Sequence, residues 1–206
     1  MNLSDYQNQF DKLISRKEKS NNSQSFRNSY FSEFLKVGLP TQKWEDWRFT
    51  NLSELKKEKF DISEVHSNSL KRVDLLKYDI EGVITFIFVN GHYQEINQVF
   101  PKNLKVSTGL KDFEPHRINV PPKMSDPFEL LNTAFVDSAL SITIKENKDF
   151  TSPIRFLYIS ESKTNLMISP KIYLKVSKSS SCTFIEEHIS SKGSLFHNQS
   201  TNVKLE

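Results

Sequence analysis

The chain has 206 residues, 36% of them hydrophobic and 12% aromatic, which predicts one folded domain or two small ones and excludes a disordered chain. The 28 Lys and Arg residues nearly balance the 25 Asp and Glu residues, so a mixed solvated surface is favoured over a nucleic-acid-binding face. The single cysteine, Cys182, excludes an internal disulfide framework and any multi-cysteine zinc or iron–sulfur site formed by this chain alone.

The first residues of the chain lack the basic and apolar segments of an export signal. No window approaches the 18 consecutive apolar residues that are typical of a membrane-spanning helix. A single cysteine also fits a reducing compartment. We therefore expect a cytoplasmic protein without a membrane partner.

Residues 1–82 are predicted to form a small N-terminal helical region. Apolar side chains recur at helical spacing in two stretches, Tyr6, Phe10, Leu13 and Ile14 in the first, and Phe26, Tyr30, Phe31, Phe34 and Leu35 in the second. Gly38 and Pro40 are typical helix-ending residues. Residues 51–55 predict a further helical turn, and the polar run 56–71 is expected to be irregular.

The hydrophobic period changes to that of β-strands near residue 83. The β-branched and aromatic run 83–89 meets Asn90-Gly91, a strong hairpin signal. We expect the returning strand at 93–96 and another at 104–106, followed by a Pro-rich loop around Pro115, Pro121 and Pro122. Asp126 and Pro127 then predict the start of a short helix.

After residue 139 the pattern predicts strands alone, at 141–144, 154–160, 171–176, 182–188 and 202–205. In the third of these, Ile172 alternates with Lys171 and Tyr173, which predicts one buried face and one exposed face. Such a series fits a sandwich, a barrel or a solenoid and disfavours a doubly wound α/β fold. Short strands in rung-like succession favour the solenoid, so we expect residues 83–206 to be mainly β.

Residues 182–188, followed by His197, contain the tightest cluster of metal-ligand types. On a strand, Cys182, Glu186 and His188 point to one face, where sulfur, carboxylate and imidazole could bind a transition metal. We favour the simpler interpretation, a half-exposed strand with a small buried thiol. Phosphate-binding glycine loops, a nucleophile elbow and a zinc-protease helix motif are all missing from the sequence, and we expect no enzymatic activity.

The segment 44–48 combines two tryptophans with acids and a guanidinium. It could bind a ligand by stacking. We favour a structural clamp that packs the helical region onto the strands, with Arg48 paired to a carboxylate.

Residues 38–50 resemble the signature of the SufB/SufD family of iron–sulfur cluster assembly proteins. The matching residues, which we expect to be structural, are Pro40, Thr41, Trp44, Glu45, Trp47, Arg48 and Thr50. Two later stretches agree in order and spacing: residues 88–93 look like the first hairpin of the family, and residues 131–135 look like the helix that leads into its β-helix. Within the family, the chain looks like SufD rather than SufB, because the motif lies near the N-terminus and no cysteine-rich segment is present.

The resemblance implies an N-terminal helical region followed by a right-handed parallel β-helix. The β-helix is expected to be incomplete at its C-terminal end, because residue 206 would fall inside it; Leu205-Glu206 fits either a native strand or a vector-derived junction. The implied role is a non-catalytic scaffold that works with a SufB-like paralogue and a SufC-like ATPase, through regions mostly outside this chain. The iron–sulfur cluster belongs to the full complex, so this portion is expected to bind no cofactor.

Three other possibilities stay open from the sequence. A β-solenoid protein that binds or processes carbohydrate is the main alternative, although no aromatic stripe with paired carboxylates stands out. Nucleic-acid binding is disfavoured by the charge balance. An exposed β-helix edge could also pair two copies into a homodimer.

Overall fold

The computed structural model describes residues 1–16, 21–64, 72–96, 99–109, 126–146, 150–191 and 193–206. The structure is mostly β-sheet with some helices. The predicted Pro-rich loop and the end of the polar run, residues 65–71, lie outside the described residues.

Five α-helices and one 3₁₀ turn are found in the described part of the chain. The helices are α1 (Leu3–Arg16), α2 (Asn21–Val37), α3 (Ser53–Lys57), α4 (Arg72–Leu76) and α5 (Pro127–Phe135), and the 3₁₀ turn is Glu45–Trp47. Gly38 follows α2 with φ +69°, and its amide donates to Phe34 O. This is the glycine stop that the sequence predicts.

The helical region is held by an aromatic cluster between α1, α2 and α5. The ring of Phe10 in α1 stacks on Phe31 of α2, with centroids 4.1 Å apart. Both rings also meet Phe135 of α5 edge to face. The predicted apolar stripes of the two N-terminal helices therefore pack on the helix that precedes the main sheets.

Eleven strands are described. They are β1 (Asp61–Ile62), β2 (Ile84–Val89), β3 (His92–Gln94), β4 (Leu104–Thr108), β5 (Ala139–Ile144), β6 (Ile154–Ser160), β7 (Leu166–Ile168), β8 (Lys171–Val176), β9 (Phe184–Ser190), β10 (Leu195–His197) and β11 (Ser200–Leu205). All strands predicted from the sequence are present within a few residues of their expected bounds. The sequence does not predict the strands β1, β7 and β10. The expectation that the run 56–71 is irregular is wrong for its first part, because this part contains the end of α3 and the strand β1.

The strands form three sheets. Sheet I has the order β3-β2-β6-β9, sheet II the order β1-β7-β10, and sheet III the order β11-β8-β5-β4. The pairs β2–β3 and β4–β5 are antiparallel, and all other described pairs are parallel. The fold is therefore neither an antiparallel sandwich nor, over the described residues, a closed barrel.

Successive strands visit the three sheets in a fixed order. The chain passes from sheet I to II to III through β6, β7 and β8, and repeats the order through β9, β10 and β11. Each later strand pairs in parallel with its counterpart one round earlier, Ile154 with Phe184, Leu166 with Leu195, and Lys171 with Ser200. The final round consequently places each of its strands at the edge of a sheet.

Sheets I and III share an apolar interior. Alternate residues of β2 and β6 face alternate residues of β5 and β8, and this core contains Ile84, Phe86, Phe88, Ile154, Phe156, Tyr158, Leu140, Ile142, Ile144, Ile172, Leu174 and Val176. The opposite face of sheet I is also covered, because Ile87 and Leu157 pack with Leu75 of α4. Burial of both faces explains why β2 and β6 are continuous hydrophobic runs.

Helix α5 is fixed at both ends. The Asp126 carboxylate caps its N-terminus by accepting from the amides of Phe128 and Glu129, as the sequence predicts. The guanidinium of Arg27 in α2 is buried and donates to Ala134 O and Val136 O. These bonds satisfy carbonyls at the helix end that have no partner within the helix.

The mainly β character predicted for the second part of the chain is confirmed. The right-handed parallel β-helix expected for this part stays a prediction, because sheets I and III each contain one antiparallel pair and only sheet II is fully parallel. The boundary between residues 1–82 and 83–206 also stays a prediction. Within the first of these parts, β1 is not helical and pairs with β7.

Candidate functional site

The segment 40–50 that carries the family signature forms a tight loop around the 3₁₀ turn. Trp44 O accepts the amide of Trp47, and Trp47 O accepts the amide of Thr50. Thr41 O accepts the amide of Trp44 at the start of the loop. These bonds give the segment a defined shape, although Pro40 is its one buried residue in the described structure.

The charged residues of the loop interact with one another. Arg48 Nη1 lies 2.8 Å from Glu45 Oε1, so the arginine is paired to a carboxylate as predicted. The Arg48 guanidinium also lies 4.5 Å from the ring centroid of Phe49. Both charged side chains are largely exposed, so the ion pair contributes little to folding.

The two tryptophans have different environments. The Trp47 ring lies 5.1 Å from that of Phe128 in α5, and Phe128 in turn meets Phe196 of β10 edge to face. Trp44, by contrast, is 39% exposed, and neighbouring Phe49 is 87% exposed. Trp47 thus links the loop to the helix and sheet, whereas Trp44 and Phe49 face solvent.

The predicted cluster at 182–188 is only partly assembled. Cys182 precedes β9, is half-buried and packs against the interior of sheets I and III. Burial raises the pKa of its thiol, which disfavours the thiolate needed to bind metals. Cys182 lies before the first residue of β9, and the strand already spans about 13 Å from Phe184 to His188. Cys182 is therefore too far from His188 for both to bind one ion.

His188 instead meets a histidine from another strand. Its Nδ1 lies 3.2 Å from Nδ1 of His197 in β10. The His188 ring also stacks on Tyr158 at 4.9 Å, and Tyr158 stacks on Phe88 at 5.0 Å. The register of β2, β6 and β9 produces this row, because Phe88, Tyr158 and His188 are paired across sheet I.

Polar side chains continue along the same face of the final round. Gln199 Nε2 donates to Glu186 Oε1 at 2.6 Å, and the Thr201 hydroxyl donates to the same oxygen at 3.1 Å. In the previous round the corresponding position to Glu186 is Phe156. The apolar interior therefore becomes polar at β9–β11, where acid, imidazole, amide and hydroxyl groups meet.

Three buried polar atoms around His188 and His197 have no hydrogen-bond partner among the described residues. His197 Nε2, the Tyr158 hydroxyl and Gln199 Oε1 are buried without a hydrogen-bond partner among the described residues. Burial, and after it the neighbouring His188, lowers the pKa of His197 to about 4. His197 is consequently a neutral imidazole near neutral pH, with a lone pair available on one nitrogen.

A surface cleft of about 560 Å³ lies near β1 and the start of β7. Its charged lining mixes both signs, with Lys12, Arg16 and Lys163 beside Asp61, Glu64 and Glu161. Arg16 and Glu64 are joined at 2.8 Å, and Lys12 and Asp61 at 3.1 Å. Because these charges largely neutralise one another, the cleft has no marked preference for an anion or a cation.

Two further properties bear on function. Over the described ranges, no group of three or more His, Cys, Asp and Glu side chains is arranged to hold a metal ion. No helix in the same ranges is long and apolar enough to cross a membrane.

The sequence indicates His188 as a candidate ligand but does not predict its contact with His197. This contact depends on the positions of strands in two different sheets.

The fold and the signature loop define a β-rich protein with a helical N-terminal region. Residues 2–156 match the family model described as SufBD protein N-terminal region. The chain therefore belongs to the SufB/SufD family, which acts in SUF iron–sulfur cluster assembly. No curated protein matches the chain.

Proposed function

We propose that this protein is a non-catalytic scaffold subunit of the SUF iron–sulfur cluster assembly complex. The match of residues 2–156 to the family carries the proposal. The protein acts in the cytoplasm with a SufB-like paralogue and a SufC-like ATPase, and it supports cluster assembly and iron acquisition. We further propose that it is the SufD-type subunit, since Cys182 is the single cysteine of these 206 residues and four thiolates typically hold a cluster.

We propose in addition that the three sheets are the start of a right-handed parallel β-helix. The repeated order of sheets I, II and III through β6–β11, with parallel pairing between rounds, supports this architecture. Right-handed connections between parallel strands are the strong general preference. A β-helix would give the extended, regular surface that a scaffold offers to several partners.

The position of the aromatic residues of sheet I argues against a carbohydrate-binding face on that sheet. Sugar-binding faces present exposed aromatic rings, but Phe86, Phe88 and Phe156 are at most 1% exposed. They fill the space between sheets I and III. Their role is therefore to form the core.

The proposal is tested by isolating the intact complex from cells that express the full-length protein at its native level. We expect an ATPase subunit and a second β-helix protein to co-purify with it. A matched sample with Trp47→Ala, which disturbs the signature loop, should show whether that loop contributes to assembly. Recovery of the protein without either partner would contradict the proposed role.

A further inference from the structure

We propose that His188 and His197 form a two-histidine site that binds a divalent first-row transition-metal ion. The site lies on the interior face of the final round, where β9 and β10 bring the two imidazoles together. It differs from the expectation that this portion binds no cofactor, and it does not depend on the proposed scaffold function.

The distance between the two nitrogens fits a shared ion. Nitrogen ligands of a tetrahedral zinc ion lie about 2.0–2.1 Å from the metal, and hence about 3.4 Å from each other. His188 Nδ1 and His197 Nδ1 are 3.2 Å apart. An ion between these atoms would therefore require only small side-chain movements.

The rings are held in this orientation by their surroundings. His188 stacks on Tyr158, and His197 meets the same ring edge to face at 5.0 Å. The two imidazoles are themselves at 64° to each other, with centroids 4.9 Å apart. Since Tyr158 is buried and contacts both rings, it limits the rotations that would separate the two nitrogens.

The two imidazoles have one hydrogen bond to each other, in which the Nδ1–H of one ring donates to Nδ1 of the other. A metal would replace the shared proton and take both Nδ1 lone pairs, and each Nε2 would then carry a proton, as is usual for a histidine ligand. His197 Nε2 is buried without a partner among the described residues and stays so when the ion binds at Nδ1. The convergence of the two Nδ1 atoms is therefore the observation that points to an ion.

The neighbouring acid and thiol do not belong to the site. Glu186 Oε1 already accepts hydrogen bonds from Gln199 and Thr201. Cys182 lies before the start of β9, more than about 13 Å along the chain from His188. Its thiol keeps its proton because burial raises the pKa of this group. In the 206-residue chain water would supply the remaining ligands, since the His188 side chain is exposed. A site with such open positions binds more weakly than one with four protein ligands.

The test is a calorimetric titration of the full 206-residue chain with Zn²⁺, after removal of any polyhistidine tag and treatment with a chelator. We expect one ion to bind per chain. His188→Ala and His197→Asn should each weaken binding by more than about tenfold, because even loss of an outer-shell partner costs about 10–100-fold. Glu186→Gln and Cys182→Ser are the matched controls and should bind as the unmodified protein does.

His188→Ala is the more informative variant, because His188 is exposed and its replacement should leave the fold intact. Thermal melting of the variant checks that it is folded. Imidazole resonances of both histidines should shift on addition of Zn²⁺ to the unmodified protein. The proposal is overturned if the unmodified chain shows no saturable binding, if His188→Ala binds equally well, or if binding is lost in Cys182→Ser.

Discussion

Lys171 Nζ lies 2.5 Å from Glu129 Oε1, and this contact joins the first residue of β8 to helix α5. The ammonium also donates to the Thr133 hydroxyl at 2.8 Å. The Lys171 side chain is 3% exposed, whereas that of Glu129 is 39% exposed. A cation is therefore buried between helix and sheet and balanced by an acid at the rim.

Removing the acid alone should destabilise the protein. Glu129→Ala leaves the buried ammonium without its counter-charge, and breaking a fully buried ion pair costs about 3–5 kcal/mol. We expect about 2–3 kcal/mol, because Glu129 is partly exposed and solvent already screens the interaction. Urea denaturation at pH 7 measures the change in the free energy of unfolding.

Lys171→Met is the matched control. It removes the charge and keeps a similar volume, so we expect a smaller loss than for Glu129→Ala. The hydroxyl of Thr133 can still bond to water or to Glu129. A larger loss for Lys171→Met would contradict the view that the uncompensated charge is what costs stability.

Most of the helices and strands could be predicted because they have a clear period. The ranges of β6 and β8 agree with the prediction to the residue. Alternation in β8 also correctly assigned Ile172 to the interior. The same alternation wrongly placed Lys171 on an exposed face, because its partners Glu129 and Thr133 lie far away in sequence.

The missed strands are too short to show a period. β7 and β10 have three residues each and β1 has two, while alternation needs about four residues to be recognised. Their existence depends on parallel pairing with other short strands. The histidine pair was missed for the same reason, since His197 lies in one of these strands.

The Asn90-Gly91 turn provides a test of backbone geometry. Gly91 has φ +83°, and a Cβ added there would lie 2.7 Å from Ile168 Cβ. Gly91→Ala should therefore cost about 3 kcal/mol, from left-handed backbone strain together with overpacking. The change is measured by thermal and urea unfolding.

Gly38→Ala separates the two contributions. Gly38 also has positive φ, at +69°, but no atom of the described residues lies within 4 Å of an added Cβ. We expect about 1 kcal/mol, from the backbone strain alone. If both variants lost the same free energy of unfolding, the close contact with Ile168 would not contribute to the cost of Gly91→Ala.

Asp61 should make stability depend on pH at the acidic end. Hydrogen bonds from Lys12 and then from Gln9 lower the pKa of its carboxyl group. Because the folded pKa lies below the unfolded value of about 3.9, the contribution is present above that value and is lost as pH falls through the folded pKa. The stability difference between the unmodified protein and Asp61→Asn should consequently shrink from pH 5 to pH 2.

Lys12→Met checks the cause of this effect. It removes the hydrogen bond that contributes most to the lowered pKa of Asp61. In the Lys12→Met background, the stability difference caused by Asp61→Asn should therefore change less with pH. The comparison comes from urea titrations at several pH values of the unmodified protein, Asp61→Asn, Lys12→Met and the double variant. If the stability difference between the unmodified protein and Asp61→Asn stayed constant from pH 5 to pH 2, Asp61 would not be a source of the pH dependence.

The two tryptophans of the signature loop test whether it acts as a clamp. Trp47 contacts Phe128 of α5, and an aromatic pair contributes about 0.5–1.5 kcal/mol beyond the burial of its area. We therefore expect Trp47→Ala to cost about 2 kcal/mol of unfolding free energy. Trp44→Ala is the matched control at an exposed position and should cost no more than about 0.5 kcal/mol. If Trp44→Ala proved the more destabilising of the two in urea denaturation, the loop would be held by contacts other than the one with α5.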